Sequence, residues 1–166
     1  SGIVSYAGSA STLRSSYALV AYSETKSTSS GNLACYTNTS QPLNITANDL
    51  LTVKWYDEYS QTEKQTFTAM GNEVAQPSGF TPAQYPYGLQ TGGKVKVLDG
   101  NEHTSGAIWL VNTIYYNYLD RIIQSVTQSY TGVDKGEERV SFAYRHQGEI
   151  YATKRTSTAS GVTTTL

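Results

Sequence analysis

Acidic side chains are the residues of this chain that could do general acid–base chemistry, and their spacing argues against it. Asp57 and Glu58 are adjacent, and on a strand they would point to opposite faces, so they could not act together on one bond. Glu137 and Glu138 lie in a charged stretch and are expected to be solvated. A glycosidase needs two carboxylates about 5–10 Å apart in a cleft. The sequence therefore offers no carboxylate pair with catalytic spacing.

Metal and phosphate sites are disfavoured on similar grounds. The two histidines, His103 and His146, have no partner at metal-ligand spacing and are expected to be surface residues in loops or turns. Thr91–Lys94 (TGGK) resembles a phosphate-binding loop but lacks the full spacing and a following helix, so a turn is predicted there. Cys35 is the only cysteine, which excludes an intramolecular disulfide. We expect no cofactor and no metal ion.

Tyrosine dominates the aromatic residues, with 14 Tyr against 3 Phe and 2 Trp. A tyrosine ring can stack on a ligand while its hydroxyl forms a hydrogen bond. Tyr85, Tyr87 and Tyr118 are therefore candidates for ligand stacking, with a glycan as the ligand. The alternative is core and cross-strand packing, which we favour for Trp109 and Tyr115.

Composition limits the function classes further. The chain has 166 residues, which suits one domain or one slice of a longer repeat array. Net charge is -1 and only 15% of residues are charged, which argues against nucleic acid as a partner because phosphate binding needs a concentrated basic face. No stretch approaches the roughly 20 apolar residues of a membrane span. The chain shows no signal peptide and no stop signal, so we expect a segment excised from a longer protein.

The elements that would position these residues are predicted to be strands. The chain reads as all-β with very little helix, because no amphipathic helical period of useful length appears. Strands are expected at Leu50–Tyr56, Thr62–Ala69, Lys94–Leu98, Ile108–Tyr116, Arg121–Gln128, Val140–Tyr144 and Glu149–Ser157.

Alternation predicts which faces of these strands are buried. Val53 and Trp55 share one face of their strand. The lysine side of Lys94–Leu98 is expected to lie in water. Ile108–Tyr116 is apolar on both faces, so it should be a central strand covered on both sides. Gly132–Glu138 is expected to be a charged loop.

We divide the chain into an N-terminal β segment of unclear type, residues 1–49, and a hairpin region, residues 50–166. Gly and Pro break the strand pattern over Met70–Tyr87, which predicts a long loop with room for a short helix beginning at Thr81. In the N-terminal segment, short strands are expected at Ile3–Tyr6, Tyr17–Tyr22 and Leu33–Tyr36, with one helical turn at Thr46–Asp49.

Three segments of the hairpin region repeat one pattern: Val53–Ala69, Thr113–Ser129 and Ser141–Ser157. In each, a tyrosine closes an apolar strand, a polar residue follows at once, a turn residue comes four positions after the tyrosine, and a strand leaves. These positions are Tyr56, Asp57 and Ser60 in the first copy, Tyr116, Asn117 and Asp120 in the second, and Tyr144, Arg145 and Gly148 in the third.

The turn chemistry differs between the copies. Gly148 can take positive φ at no cost, Asp120 tolerates it, and Ser60 does so less well. An Asp or Asn beside the turn can accept hydrogen bonds from backbone amides. Arg145 cannot, so the third copy must satisfy those amides differently. Hairpins stacked in this way bury a face only against their neighbours, as in repeat proteins.

This pattern resembles the YD repeat of the Rhs/YD-repeat proteins, in particular the large Rhs-like surface proteins of Bacteroidota. Tyr56-Asp57 matches the repeat dipeptide, and Arg121 stands where the arginine of the repeat's Gly-Arg pair is expected, with Asp120 replacing the glycine. A block from the region that precedes the repeat array resembles Gly88–Leu98 followed by Trp109-Leu110, Tyr115-Tyr116 and Arg121–Gln124. The resemblance covers residues 50–158.

The resemblance implies a non-catalytic structural segment of a secreted or cell-surface protein. Its antiparallel hairpins would form a twisted sheet or open sandwich within a β-sheet shell, and its partners would be neighbouring repeats of the parent chain. Open sheet edges would favour self-association. The alternative is a β-sandwich module that binds glycans or proteins through exposed Tyr and Trp. An enzyme is the least favoured interpretation.

Overall fold

The structure is a computed structural model that describes residues 24–27, 34–40, 45–70, 82–102, 104–159 and 161–166. The chain divides into two compact units, Ser1–Ala47 and Asn48–Leu166. In the first unit, Lys26 and Tyr36 form an antiparallel bridge. The strands expected at Ile3–Tyr6 and Tyr17–Tyr22 lie outside the described residues, as do the start of Leu33–Tyr36 and the expected helix start at Thr81.

The described residues of the second unit form a seven-stranded antiparallel sheet in which each strand pairs with its neighbours in the sequence. The all-β prediction is confirmed, and the described residues contain no helix; residues 47–49 form a turn. The seven strands are β1 (Thr52–Tyr56), β2 (Gln90–Lys96), β3 (Trp109–Tyr116), β4 (Ile122–Tyr130), β5 (Lys135–Tyr144), β6 (Ile150–Ala159) and β7 (Val162–Thr165).

The face that Val53 and Trp55 share in β1 is the buried one. Val53 and Trp55 are buried, while Lys54 between them is exposed. Trp55 pairs with Gly92 of β2. A Cβ at Gly92 would stand 2.5 Å from the backbone oxygen of Asn112, so this position of β2 has no room for a side chain.

The lysine side of β2 is not in water, which corrects the prediction made from alternation. Lys96 is 3% exposed, and its Nζ donates to the backbone oxygens of Asn48 at 2.8 Å and Glu102 at 2.6 Å. Lys94 Nζ lies 2.6 Å from a carboxylate oxygen of Glu63. The prediction was wrong because these acceptors lie in loops outside β2, which lets the apolar stems of the lysines cover the sheet.

The prediction of a charged loop at Gly132–Glu138 is wrong for its second half, because β5 begins at Lys135. Glu137 pairs with Arg139 on the same strand face, and Glu138 pairs with Arg155 of β6. These ion pairs lie on partly exposed faces, where a strand can carry charged residues without burying them. β7 was not predicted as a strand.

The prediction of a polar strand at Thr62–Ala69 is wrong. Residues 58–70, which we call the strap, cross one face of the sheet without forming a strand of it. Sheet side chains bond to its backbone: the Gln65 amide donates to Thr113 Oγ1 at 2.9 Å, and the Tyr115 hydroxyl donates to the Gln65 oxygen. Lys154 Nζ of β6 donates to the Met70 oxygen at 3.0 Å. The strap contains a turn at residues 62–63, and these hydrogen bonds join its backbone to side chains of the sheet instead of to another strand.

The core lies between the strap and the sheet. It consists of Met70 from the strap with residues from three strands, and Tyr59 and Phe67 of the strap pack against it. β3 is an interior strand, as predicted, but its two faces are covered unequally: Val111, Thr113 and Tyr115 on one face are buried, while Leu110 and Ile114 on the opposite face are half-buried. The buried sheet residues of this cluster are Tyr115, Ile123 and Ala143.

Candidate functional site

Three hairpin turns lie at one end of the sheet, because strands that pair in sequence order alternate in direction. They join β1 to β2, β3 to β4, and β5 to β6. Every position of the predicted repeat except Ser60 lies in or beside one of these turns. This end of the sheet, which we call the turn end, is the candidate functional site.

Two backbone hydrogen bonds close the turn between β3 and β4. The Asn117 amide donates to the Arg121 oxygen at 2.9 Å, and the Asp120 amide donates to the Asn117 oxygen at 3.1 Å. Asp120 takes a φ of +58°. Asn117 Oδ1 also accepts from the amides of Leu119 and Arg121, at 2.9 and 3.0 Å. The asparagine therefore caps the turn, as expected for a short polar side chain in this place.

The turn between β5 and β6 repeats the same backbone pattern with a different side chain. The Arg145 amide donates to the Glu149 oxygen at 2.8 Å, and the Gly148 amide donates to the Arg145 oxygen at 2.9 Å. Gly148 has a φ of +95°. The Arg145 guanidinium lies 3.8 Å from the Glu149 carboxylate, so this exposed side chain pairs with an acid instead of capping amides.

The first copy closes with Gly88, which corrects the assignment of Ser60 as its turn residue. The Asp57 amide donates to the Leu89 oxygen at 3.1 Å, which matches the first bond of the other two turns. Asp57 Oδ1 accepts from the Gly88 amide at 2.6 Å, and Gly88 has a φ of +76°. Residues 58–87 are therefore an insertion within a hairpin turn. The strand that leaves the turn is β2, not Thr62–Ala69.

Each outgoing strand carries a β-bulge shortly after its turn. The register of each hairpin shifts by one residue between the last two pairs of the incoming strand. The unpaired residues are Thr91 in β2, Ile123 in β4 and Tyr151 in β6. A β-bulge increases the local twist of a strand and is a specific feature of a fold rather than a defect. Because a bulge occurs at the same place in all three hairpins, the hairpins share one local structure.

The tyrosines that close β3 and β5 link successive hairpins. Tyr116 donates its hydroxyl hydrogen to the Gln90 oxygen at 3.0 Å. Tyr144 donates in the same way to the Ile122 oxygen at 2.7 Å. Gln90 and Ile122 are equivalent, since each is the first residue of an outgoing strand. Burial raises the pKa of both tyrosines above the usual value, which keeps each hydroxyl a hydrogen-bond donor.

Arg121 provides a second link between the β3–β4 and β5–β6 turns. Its guanidinium carbon lies 5.7 Å from the centre of the Tyr144 ring. A Cβ at Gly148 would stand 2.9 Å from a guanidinium nitrogen of Arg121. The Arg121 side chain therefore packs on the neighbouring turn. It fits there because Gly148 has no side chain.

The insertion closes over the end of β3, where β2 no longer pairs with it. The Tyr59 hydroxyl donates to the Ile114 oxygen and accepts from the Tyr116 amide, both at 3.1 Å. Its ring stacks on Tyr115 with a centroid separation of 4.8 Å. The Ala83 amide donates to the Tyr116 oxygen at 2.7 Å. Burial raises the pKa of Tyr59 to about 12, so this bridging hydroxyl stays protonated.

Gln124 of β4 is the polar group that fixes the strap most completely. Its amide nitrogen donates to the Thr68 oxygen at 2.6 Å and to Ser141 Oγ at 2.8 Å. Its amide oxygen accepts from the Thr68 amide at 3.0 Å and from Arg139 at 2.7 Å. Arg139 also donates to the Thr66 oxygen at 2.6 Å. The sequence analysis missed this cluster, and the only signal it offered was the polar residue at an inward-facing strand position.

The three tyrosines proposed for ligand stacking are all exposed, but they do not form one group. Tyr85 and Tyr87 stack on each other with ring centroids 5.9 Å apart. Tyr118 is 66% exposed in the β3–β4 turn. Tyr115 is buried in the core, and Trp109 lies beneath Lys94 and Lys96. Only the first pair therefore offers a combined aromatic surface.

The other residues considered as a phosphate or metal site in the sequence lie in a strand, in a turn or outside the described residues. Thr91–Lys94, predicted to be a turn, lies within β2, which corrects that prediction. His146 is exposed in the β5–β6 turn, and His103 lies outside the described residues. Within the described part of the chain, no three metal-ligating side chains are grouped, and no helix is long and apolar enough to cross a membrane. No family model, curated protein or solved structure matches the chain.

Proposed function

We propose that this chain is a non-catalytic structural segment of a secreted or cell-surface protein of the Rhs/YD-repeat type, in which it extends a β-sheet scaffold. Its partners are neighbouring repeats of the parent chain. The extracellular or bacterial-surface location follows from the sequence resemblance. The proposal assigns the recurring chemistry of the turns to holding hairpins together, and none of it to a substrate.

The observation that carries the proposal is the repeated bond between hairpins. Tyr116 and Tyr144 occupy equivalent positions and bond to equivalent carbonyl oxygens of the preceding outgoing strand. A contact that recurs at a fixed position is what allows a sheet to grow by adding one hairpin at a time. The three bulges and the matching turn bonds support the same interpretation.

The polar groups of the sheet also support a structural role. Asn117 caps a turn, while Gln124 and Arg139 bind the strap backbone. Such side chains satisfy backbone groups that would otherwise lose hydrogen bonds on burial. They are engaged within the protein, as parts of a scaffold would be.

The last strand provides the place where further strands add. All four residues of β7 are exposed. Arg155 and Leu166 exchange both backbone hydrogen bonds, at 2.9 and 2.8 Å. Since such pairs alternate along an antiparallel ladder, the amides of Thr163 and Thr165 point away from β6. These outward groups can pair with another strand, which in solution is a second copy of the chain.

Sedimentation velocity over a wide range of protein concentration tests this proposal. We expect the wild-type chain to associate as concentration rises. Thr163→Pro removes an outward amide and should abolish association, since proline is accepted on an edge strand but cannot donate. Thr163→Ala is the matched control, because it also loses the 3.0 Å hydroxyl contact with Thr158 but keeps the amide. A wild-type chain that stays monomeric, or a proline variant that associates normally, contradicts the proposal.

A further inference from the structure

The two ends of the insertion form an open cleft at the turn end of the sheet. Its cavity has a volume of about 400 Å³. One wall is the stretch that leaves β1, and the other is the stretch that returns towards β2. The lining residues used here are Glu58, Tyr59, Ser60, Ala83, Gln84 and Tyr85.

Both walls of the cleft are fixed to β3. The Tyr59 hydroxyl holds two backbone groups of β3, and the Ala83 amide donates to the Tyr116 oxygen at 2.7 Å. The far wall is anchored again by Pro86, whose side chain is fully buried. The cleft is therefore preformed, which lowers the entropy cost of binding a ligand.

The polar groups of the cleft suit a ligand rich in hydroxyl groups. The Glu58 carboxylate accepts from Ser60 Oγ at 3.1 Å, and the Gln84 amide donates to the Tyr85 hydroxyl at 3.3 Å. A carboxylate only accepts hydrogen bonds, whereas an amide both donates and accepts. Together they can serve both the donor and the acceptor character of sugar hydroxyls.

An aromatic platform stands beside these groups. Tyr85 is 50% exposed and Tyr87 is 77% exposed. Their rings are nearly parallel, with an interplanar angle of 16°, and Pro86 between them is buried. Because the two rings stack on each other, a ligand meets the outer face of Tyr85, and an exposed tyrosine ring combines an apolar face with a polar edge. The C–H face of a pyranose ring has the complementary shape.

The charge of the cleft restricts the class of sugar. Among the described residues that line it, Glu58 is charged and none is a lysine or an arginine. Phosphates and other anions need basic partners in such a site. We propose that this cleft binds a neutral hexose-type sugar, with Glu58 and Gln84 bonding its hydroxyls and Tyr85 stacking on its ring. This proposal stands independently of the scaffold proposal, since it uses the insertion and not the sheet edge.

Isothermal titration calorimetry of the full chain tests the cleft with a panel of neutral sugars: glucose, galactose, mannose, N-acetylglucosamine and maltose. We expect at least one to bind, and Tyr85→Ala to weaken that binding by about tenfold. Tyr85→Phe keeps the ring and should stay near wild type. Glu58→Gln should weaken binding of the neutral sugar, and glucuronate should bind less tightly than glucose.

Tyr118→Ala is the matched control, since Tyr118 is also an exposed turn tyrosine but does not line the cleft. It should bind sugar like the wild type. The proposal fails if no sugar of the panel binds, if Tyr85→Ala binds as well as wild type, or if Tyr118→Ala weakens binding equally. Each of these results leaves the sedimentation test of the sheet edge unaffected.

Discussion

Gly148 and Gly132 share a φ of +95°, but their surroundings differ. A Cβ at Gly148 would meet the guanidinium of Arg121, while among the described residues no atom lies within 4 Å of the Cβ position at Gly132. Backbone strain and the Arg121 contact can therefore be separated by comparing the two positions. The contact matters because it connects adjacent hairpins.

Replacing Gly148 by alanine should destabilise the sheet unit by about 1–3 kcal/mol, because an L-residue is strained at positive φ and the Arg121 guanidinium must shift from its position on the Tyr144 ring. Gly132→Ala should cost only the strain, about 1–2 kcal/mol. Chemical denaturation of both variants measures the difference. If both variants lose the same free energy of unfolding, the contact of Arg121 with Gly148 and Tyr144 contributes nothing to stability.

Glu24, in the N-terminal unit, is the residue whose protonation should be easiest to follow. It accepts from the side chains of Thr37 and Ser40 at 2.5 Å, and from the backbone amides of Thr39 and Ser40. These bonds, that from the Ser40 hydroxyl first, lower the pKa of Glu24 from 4.5 to about 2. The carboxylate is therefore stabilised in its charged form.

Because the folded pKa is lower than the unfolded one, Glu24 should stabilise its unit above pH 4.5, and this contribution should be lost as pH falls through about 2. NMR titration of the Thr39 and Ser40 amides should show a shift with a midpoint near pH 2. Glu24→Gln should remove that titration. A midpoint at the ordinary value of a glutamate would contradict the hydrogen bonding described here.

At the scale of elements, the strap depends on sheet side chains to hold its backbone. Gln124→Met keeps the volume of the side chain but removes its bonds to Thr68, Ser141 and Arg139. We expect a loss of about 2–3 kcal/mol, since buried polar partners are left unsatisfied. Denaturation and amide exchange of Thr68 measure this effect.

Gln128→Met is the control for this strap prediction, because Gln128 lies on the same strand and accepts from the Val111 amide at 3.0 Å, but has no hydrogen bond to the strap. It should cost about 1 kcal/mol or less and leave exchange in the strap unchanged. If both variants lose the same stability and Thr68 stays protected in each, the strap is held by apolar packing instead.

The sequence predicted the turns correctly where the contacts that form the turn lie between residues close in the chain. The turns at Asp120 and Gly148 depend on residues within a few positions of each other, so their spacing could be read directly. The first turn depends on a bond between Asp57 and Gly88, 31 residues apart, and Ser60 happened to stand at the expected spacing. No local pattern distinguishes an inserted loop from a short turn that is followed by a polar strand.

The strap and the lysines of β2 show the second limit. Thr62–Ala69 has the composition of a strand, but its backbone partners are side chains of four different strands. Lys96 is predicted to face solvent until the carbonyl groups of Asn48 and Glu102, both outside the strand, are placed beside it. Alternation predicts which residues share a face, but it does not predict what covers that face.

At the scale of the whole molecule, the sheet unit is a set of hairpin copies joined by one kind of tyrosine bond. The core is concentrated under the strap, at Tyr115, Ile123 and Ala143. β6 and β7 carry mostly exposed side chains. A sheet that ends in such a strand has backbone groups available for pairing, which is how the scaffold proposal connects the fold to a function.

Amide hydrogen exchange of β7, measured at increasing protein concentration, tests this central claim most directly. The amides of Thr163 and Thr165 point away from β6 and should exchange more slowly as strands add to the edge. The amide of Val133, whose side chain is 84% exposed in the β4–β5 turn, is the internal reference and should not change. If Thr163 and Thr165 exchange at the same rate at every concentration, β7 is not the growing edge of a scaffold.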